Sequence, residues 1–292
     1  MKPPPFSYAA PTTLAEAVGL LTEHAEDEPR VLAGGQSLIP LMNFRLAKPG
    51  YLIDLRKVAG LSGIRREGDV LVVGAMTRLA ELERSPEAAM AAPLVAEAVG
   101  LVAHAPIRNR GTIGGNLAHA DPASELPAIA LAMQARMRIR SSGGEREIAA
   151  SDFFVGALTT GLKADEMLVE TVLPPPGPRT GACFKEVARR RGDFALAGVA
   201  AILSLDPEGR CVQIRLALCG VGDTPLDASP VASALIRQRC TDRAIEAVAA
   251  EVQGTIAPFG NVHASARYQR HIAAVLVRRA LATARNRIAD AP

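Results

Sequence analysis

Apolar residues recur on one helical face at Leu14, Ala17, Val18 and Leu21, and the preceding Thr13-Leu14-Ala15-Glu16 has the capping-box form. A first helix is therefore predicted over residues 13–24. Two apolar runs of strand length follow, 30–33 and 51–55; Gly34-Gly35 ends the first, and Pro40 and Pro49-Gly50 mark the loop between them. Residues 62–66 and 70–74 flank Glu67-Gly68-Asp69, the pattern of a hairpin, and alanine-rich helical patterns follow at 79–84 and 93–103. A helix over 126–134 leads into an alternating strand at 136–140, with Ser142-Gly143-Gly144 as the turn towards Ile148, and 167–173 reads as one more strand.

Pro174-Pro175-Pro176-Gly177-Pro178 cannot continue a helix or a central strand, so the chain is expected to change domain there. Beyond it, 183–188, 199–205 and 212–219 are strand-like, the last two joined by the turn sequence Asp206-Pro207-Glu208-Gly209. Residues 230–239, 241–252 and 264–288 are helical by pattern, which predicts a small α+β domain with an antiparallel sheet and its helices towards the C-terminal side.

Composition narrows the function. A chain of 292 residues, 49% hydrophobic, can bury a sizeable core, and a net charge of +3 gives no field strong enough to argue for nucleic acid or a membrane surface. Arg189-Arg190-Arg191 lacks aromatic interleaving and reads as an interface or a solvated turn. No apolar stretch is long enough for a membrane span, and Met1-Lys2-Pro3-Pro4-Pro5-Phe6 lacks the form of a signal peptide, so a cytoplasmic protein is expected. Cys183, Cys211, Cys219 and Cys240 stand far apart and the histidines show no ligand spacing, so no zinc or iron–sulfur site is predicted.

Two glycine pairs carry candidate chemistry. They lie in Leu32-Ala33-Gly34-Gly35-Gln36-Ser37-Leu38-Ile39-Pro40-Leu41-Met42 and in Ile107-Arg108-Asn109-Arg110-Gly111-Thr112-Ile113-Gly114-Gly115-Asn116. Glycines let a backbone approach a diphosphate closely and aim successive N–H groups at its oxygens, and Ser37, Thr112 and Asn116 can add side-chain donors. A single Gly-Gly pair is most often only a tight turn. The spacing matches neither a Rossmann fingerprint nor a P-loop.

These two strings closely resemble the pyrophosphate loops of the flavoprotein subunits of the carbon monoxide dehydrogenase and xanthine dehydrogenase family. The resemblance continues through Ala118-His119-Ala120-Asp121-Pro122-Ala123-Ser124-Glu125-Leu126-Pro127, Arg189-Arg190-Arg191-Gly192-Asp193-Phe194-Ala195 and Ala264-Ser265-Ala266-Arg267-Tyr268, and so spans nearly the whole chain. It implies an α+β fold: a two-lobed FAD-binding domain of the vanillyl-alcohol-oxidase (PCMH) type over residues 1–176, with lobes at about 1–55 and 56–176, then a C-terminal domain over 177–292. By the same resemblance the FAD-binding residues would be Leu32, Ala33, Gly34, Gly35, Gln36, Ser37, Leu38 and Ile39, then Val102, then Thr112, Ile113, Gly114, Gly115 and Asn116, with Glu125, Val169, Lys185 and Phe194. A nearby Lys185 ammonium would stabilise the negative charge of a reduced flavin. Phe194 stands where relatives often carry a tyrosine; its ring can stack but cannot hydrogen-bond. Val169 also reads as a strand core residue, and Gln36 gives no substrate information.

The resemblance further implies an electron-transfer subunit without acid, base or nucleophile of its own. Its partners would be an iron–sulfur small subunit and a large subunit with the molybdenum cofactor, as a dimer of heterotrimers. Two other readings stand beside it: a stand-alone flavin reductase of the same fold superfamily, and a non-redox binding or scaffold protein. The substrate oxidised and the terminal acceptor are not encoded in these motifs.

Overall fold

Short parallel strands need crossovers, and the crossovers decide where loops emerge. In the computed structural model, which describes residues 2–289, the first lobe contains β1 (Ser7–Ala9), α1 (Leu14–Glu23), β2 (Arg30–Leu32), α2 (Leu38–Asn43) and β3 (Tyr51–Asp54). β3 is central and pairs in parallel with both neighbours, Ser7 opposite Tyr51 and Arg30 opposite Leu52. Ala17, Val18 and Leu21 of α1 close its apolar face. The Thr13 hydroxyl accepts the Glu16 N–H at 3.2 Å, but the Glu16 carboxylate takes the N–H of Thr12 rather than of Thr13, so the capping box is displaced by one residue. Since all three strands run the same way, the loop after β2 leaves from the carboxyl edge of the sheet, where α/β folds place ligands.

The second lobe is an antiparallel sheet of β4 (Ile64–Glu67), β5 (Val70–Gly74), β6 (Arg136–Ser141), β7 (Gly144–Ala149) and β10 (Met167–Leu173), in the order β4-β5-β10-β6-β7. Between its strands lie α3 (Leu79–Arg84), α4 (Pro86–Ala91), α5 (Pro93–Val99), α6 (Ala105–Arg108), α7 (Ile113–His119), α8 (Glu125–Ala132), α9 (Ala150–Phe153) and the small hairpin β8 (Phe154–Gly156) and β9 (Thr159–Thr160). One sheet face carries a charge ladder: Arg138 donates to Glu67, Glu147 and Glu170, each at 2.9 Å. The Arg138 and Arg65 guanidiniums hold the Glu67 carboxyl down at about 2. The helix expected over 93–103 stops at Val99, because the chain turns at Gly100 and Ala103 takes a left-handed conformation, φ 49°. α4, capped by the Ser85 hydroxyl, and the short α2, α6 and α7 were not expected from the pattern.

The second domain is a sheet of β11 (Thr180–Ala188), β12 (Ala195–Leu205), β13 (Cys211–Cys219) and β14 (Leu226–Asp227) with α10 (Ser229–Ala232), α11 (Asp242–Thr255) and α12 (Ala266–Ala289). Every residue of β12 is buried, because the sheet is covered on both sides. Ala200 and Ile202 join the core of the first domain, where Leu126 and Ile129 of α8 sit; Val199, Ala201 and Leu203 join Ala273, Val277 and Leu281 of α12. The helix expected over 230–239 ends at Ala232 and continues only as a 3-10 turn, Ser233–Leu235. Its remainder is drawn alongside β13, with the Arg237 N–H on the Cys211 carbonyl (2.7 Å) and the Cys211 N–H on the Gln238 carbonyl (2.9 Å). A sheet edge that would otherwise lack partners overrides the helical pattern.

This double burial predicts that Leu203→Ala, at a fully buried site, lowers the unfolding free energy by about 2–5 kcal/mol. Denaturant unfolding of the full chain measures it.

Candidate functional site

The two glycine pairs, far apart in sequence, meet. An added Cβ at Gly34 would strike the Arg110 carbonyl oxygen and lie 2.8 Å from the Gly111 Cα, and one at Gly115 would lie 3.4 Å from the Ala33 Cβ. The first loop therefore rests backbone to backbone on the segment before α7, and Gly34 is required by that contact. Gly35 is required by conformation, at φ 73°. Beyond it the chain enters α2, and its only internal side-chain bond is from Gln36 Nε2 to the Gly34 carbonyl, 3.2 Å. Among the described residues, no acceptor meets the backbone N–H of Gly34, Gly35, Gln36, Ser37 or Leu38. A row of backbone amides without protein acceptors can receive an anion. It opens on a cleft of about 290 Å³ lined by Gly34, Gly35, Gln36, Ile39, Pro40, Asn43 and Arg110.

The second glycine pair behaves differently from the expectation of a second donor loop. Ile113, Gly114, Gly115 and Asn116 form the first turn of α7, and their N–H groups are already used, on Thr77 O (3.0 Å), Ala75 O (2.9 Å), Thr112 Oγ1 (3.1 Å) and Thr112 O (3.0 Å). Gly114 lies against the Ala75 Cβ. This segment is the wall on which the first loop is seated. Thr112 is its N-cap, and Asn116 Oδ1 accepts from the Ser124 hydroxyl at 2.8 Å. A glycine turn and a capped helix start share one sequence pattern, which is why periodicity did not separate them.

Of the other expected positions, Val102 is buried in the first-domain core. Its turn is fixed by Arg108, whose guanidinium donates to the carbonyls of Val102 (3.1 Å) and Ala103 (2.9 Å) and forks onto Glu83 at 2.8 and 3.1 Å. The turn carrying Phe194 lies over the same place, since a Cβ on Gly192 would come within 2.9 Å of the Ala103 carbonyl; Phe194 itself is exposed. Glu125 opens α8 and is buried, next to Ser124 and so to Asn116. Burial pushes its carboxyl up to about 7, with Asp121 acting the same way. Val169 packs among Ala17, Val18, Ile53 and Met167 under the first lobe. Lys185 shares the β11 face of Cys183 and Val187, which packs on the α12 side, opposite the face of Phe184 that meets the first domain. The structure thus gathers the first loop, the α7 start, Val102, Phe194 and Glu125, and sets Val169 and Lys185 behind other elements. Arg108 and Arg110 were not singled out from sequence, although two arginines just before a glycine turn were the available signal.

Other features carry no competing site. A larger open cleft, about 610 Å³, lies between the ends of α11 and α12, and its Arg270 is spent on the Ile256 carbonyl. Among the described residues no group of His, Cys, Asp and Glu could hold a metal ion, and no helix is long and apolar enough to cross a membrane.

A two-lobed domain with an amide cradle at its parallel strand ends, closed by an antiparallel-sheet domain, defines a flavin-binding protein. Residues 4–176 match the family described as the FAD binding domain in molybdopterin dehydrogenase, and residues 182–284 that described as the CO dehydrogenase flavoprotein C-terminal domain. The chain is 39% identical to the 6-hydroxypseudooxynicotine dehydrogenase complex subunit alpha of Paenarthrobacter nicotinovorans, over 98% of this chain and 97% of that protein. It is 38% identical to the carbon monoxide dehydrogenase medium chain of Hydrogenophaga pseudoflava, over 96% and 97%. A solved carbon monoxide dehydrogenase structure from the same organism superposes with a TM-score of 0.95 at 38% identity, over 98% of this chain and 99% of that one. Quinoline 2-oxidoreductase of Pseudomonas putida 86 superposes with a TM-score of 0.94 at 36% identity, over 99% of each. The chain belongs to the family of FAD-binding medium subunits of molybdenum hydroxylases. It is an oxidoreductase subunit, and its cofactor is FAD.

Arg108 makes four bonds from a side chain only 12% exposed. Arg108→Met is expected to cost about 1–3 kcal/mol of unfolding free energy by leaving its partners unpaired. Arg108→Lys should not restore it, since an ammonium cannot fork. A second expectation concerns pH. Glu125 at about 7 and Glu186, raised by burial to about 8, bind protons more tightly folded than unfolded. Their stabilisation is complete below the ordinary carboxyl range and is lost as pH climbs through about 7 to 8. Thermal unfolding across that window should show Tm falling with rising pH.

Proposed function

We propose that this chain holds the FAD diphosphate on the amides of Gly34, Gly35, Gln36, Ser37 and Leu38 and takes electrons from iron–sulfur clusters of a small partner subunit for delivery to an external acceptor. In this reading residues 1–176 bind the cofactor and 177–292 close over it, with Val102, Glu125 and Phe194 towards the flavin end. The α7 start keeps the cradle in place, Arg108 holds the turn of Val102, and the apolar side chains around Val102 exclude water. Flavin suits the task because it accepts electrons singly and can release them in pairs. Substrate oxidation belongs to a large subunit with the molybdenum cofactor, and the assembly is a dimer of heterotrimers. The four cysteines are all free and buried, which fits a reducing compartment such as the cytoplasm.

The single observation that supports this most is the run of backbone amides without protein acceptors at 34–38, of which Gly34, Gly35 and Gln36 line a cleft, in a chain of this family. The purified chain should be yellow. Gly35→Val places a branched side chain at a positive φ and is expected to weaken FAD binding by about tenfold or more, about one pK-unit equivalent of free energy, with the circular dichroism spectrum retained. Gly115→Val should act similarly by pushing Ala33 out of place. Undiminished FAD content in both folded variants would sink the cradle. Co-purification with molybdenum- and iron-bearing chains tests the partners, and its failure favours a self-contained flavin reductase.

A further inference from the structure

Among the described residues, Arg110 is the only charged residue that lines the cleft beside the first loop, and no acidic residue lines it. The Arg110 backbone is fixed from two sides. The N–H groups of Arg110 and Gly111 both donate to the Ile107 carbonyl, at 3.1 and 2.7 Å, and the Arg110 carbonyl is the surface on which Gly34 is seated. The side chain is therefore rooted at the foot of the first loop, and the residue is exposed there.

Three arginines surround this segment, and they differ in what is left over. Arg78 donates to the Asn109 carbonyl at 2.6 Å. Arg108 is spent on Glu83 and on the carbonyls of Val102 and Ala103. Among the described residues, the Arg110 guanidinium has neither a hydrogen-bond acceptor nor an ion-pair partner, so it holds nothing in the fold. The bare amides at 34–38 lie on the loop seated against it. Backbone amides offer dipoles without net charge, whereas a diphosphate is an anion. A guanidinium supplies the missing charge and can fork onto two phosphate oxygens, which no single amide does.

We propose that Arg110 is a further cofactor-binding residue, whose guanidinium pairs with the diphosphate of the dinucleotide while the amides at 34–38 hydrogen-bond it. One residue then has two tasks: its carbonyl seats the first loop, and its side chain gives that loop the charge it lacks. The identity of the ligand rests on the FAD reading, whereas the anion site at Arg110 does not.

The full-length chain freed of cofactor is titrated calorimetrically with FAD and, separately, with inorganic pyrophosphate. Because the exposed Arg110 side chain has no partner to lose, Arg110→Gln should keep the Tm and circular dichroism spectrum of the unaltered chain. Its dissociation constant for each ligand should rise about tenfold, the loss of one charge-assisted contact. Added sodium chloride should weaken FAD binding in the unaltered chain and far less in Arg110→Gln, since salt screens the charged contact. Arg110→Lys should keep the salt dependence at intermediate affinity, as an ammonium keeps the charge without the fork. If Arg110→Gln binds FAD like the unaltered chain while Gly35→Val binds it weakly, the pairing is overturned and the amide cradle stands. If Arg110→Gln is weakened as expected and Gly35→Val is not, Arg110 is supported and the cradle is lost. A fall in affinity in Arg110→Gln with the salt dependence of the unaltered chain overturns the electrostatic role, because it marks a structural effect. Pyrophosphate binding that requires Arg110 in a chain that takes up no FAD supports the anion site and counts against the FAD reading. An unaltered chain that binds neither ligand overturns both.

Discussion

The contact between the Gly34 backbone and that of Arg110 and Gly111 is the constraint on which the site depends. It joins the carboxyl edge of the parallel sheet to the start of α7, and no side chain fits between them. Gly34, Gly35 and Gln36 of the loop seated there line the cleft. The five successive backbone donors at 34–38 have no protein partner among the described residues and stay available to an acceptor from outside. The α7 start makes the opposite choice, satisfying its own amides through Thr112, Thr77 and Ala75, and its rigidity lets the first loop stay open.

The second domain is held by a different logic. β12 contributes to two cores at once, so the sheet cannot leave α8 without exposing apolar residues on one side while α12 still covers the other. Inter-domain faces inside one chain are often polar and mobile, and this one is a continuous apolar core. That continuity is what buries Glu125. A carboxyl placed in such surroundings lowers stability unless it is neutral or paired.

The relatives named for carbon monoxide, quinoline and a nicotine derivative share this architecture at closely similar lengths. A fold common to proteins with such different names does not itself encode what is oxidised.

The long elements were legible in the sequence because local pattern and final environment agree there. Met167–Leu173 is a strand with the bounds its apolar run suggests, and α1, α11 and α12 follow their helical faces closely. The glycine strings and their family resemblance identified the cofactor class before any geometry. What only the tertiary structure decided is which atoms are free. The same Gly-Gly pattern is an open cradle at 34–35 and a closed helix start at 114–115, because hydrogen-bond partners such as Thr77 and Ala75 come from elsewhere in the chain. The bonds of Arg108, the placement of Lys185 on the face away from the first domain and the conversion of 236–239 from helix to sheet edge were equally invisible. Each depends on a neighbour distant in sequence, and local periodicity carries no information about such neighbours.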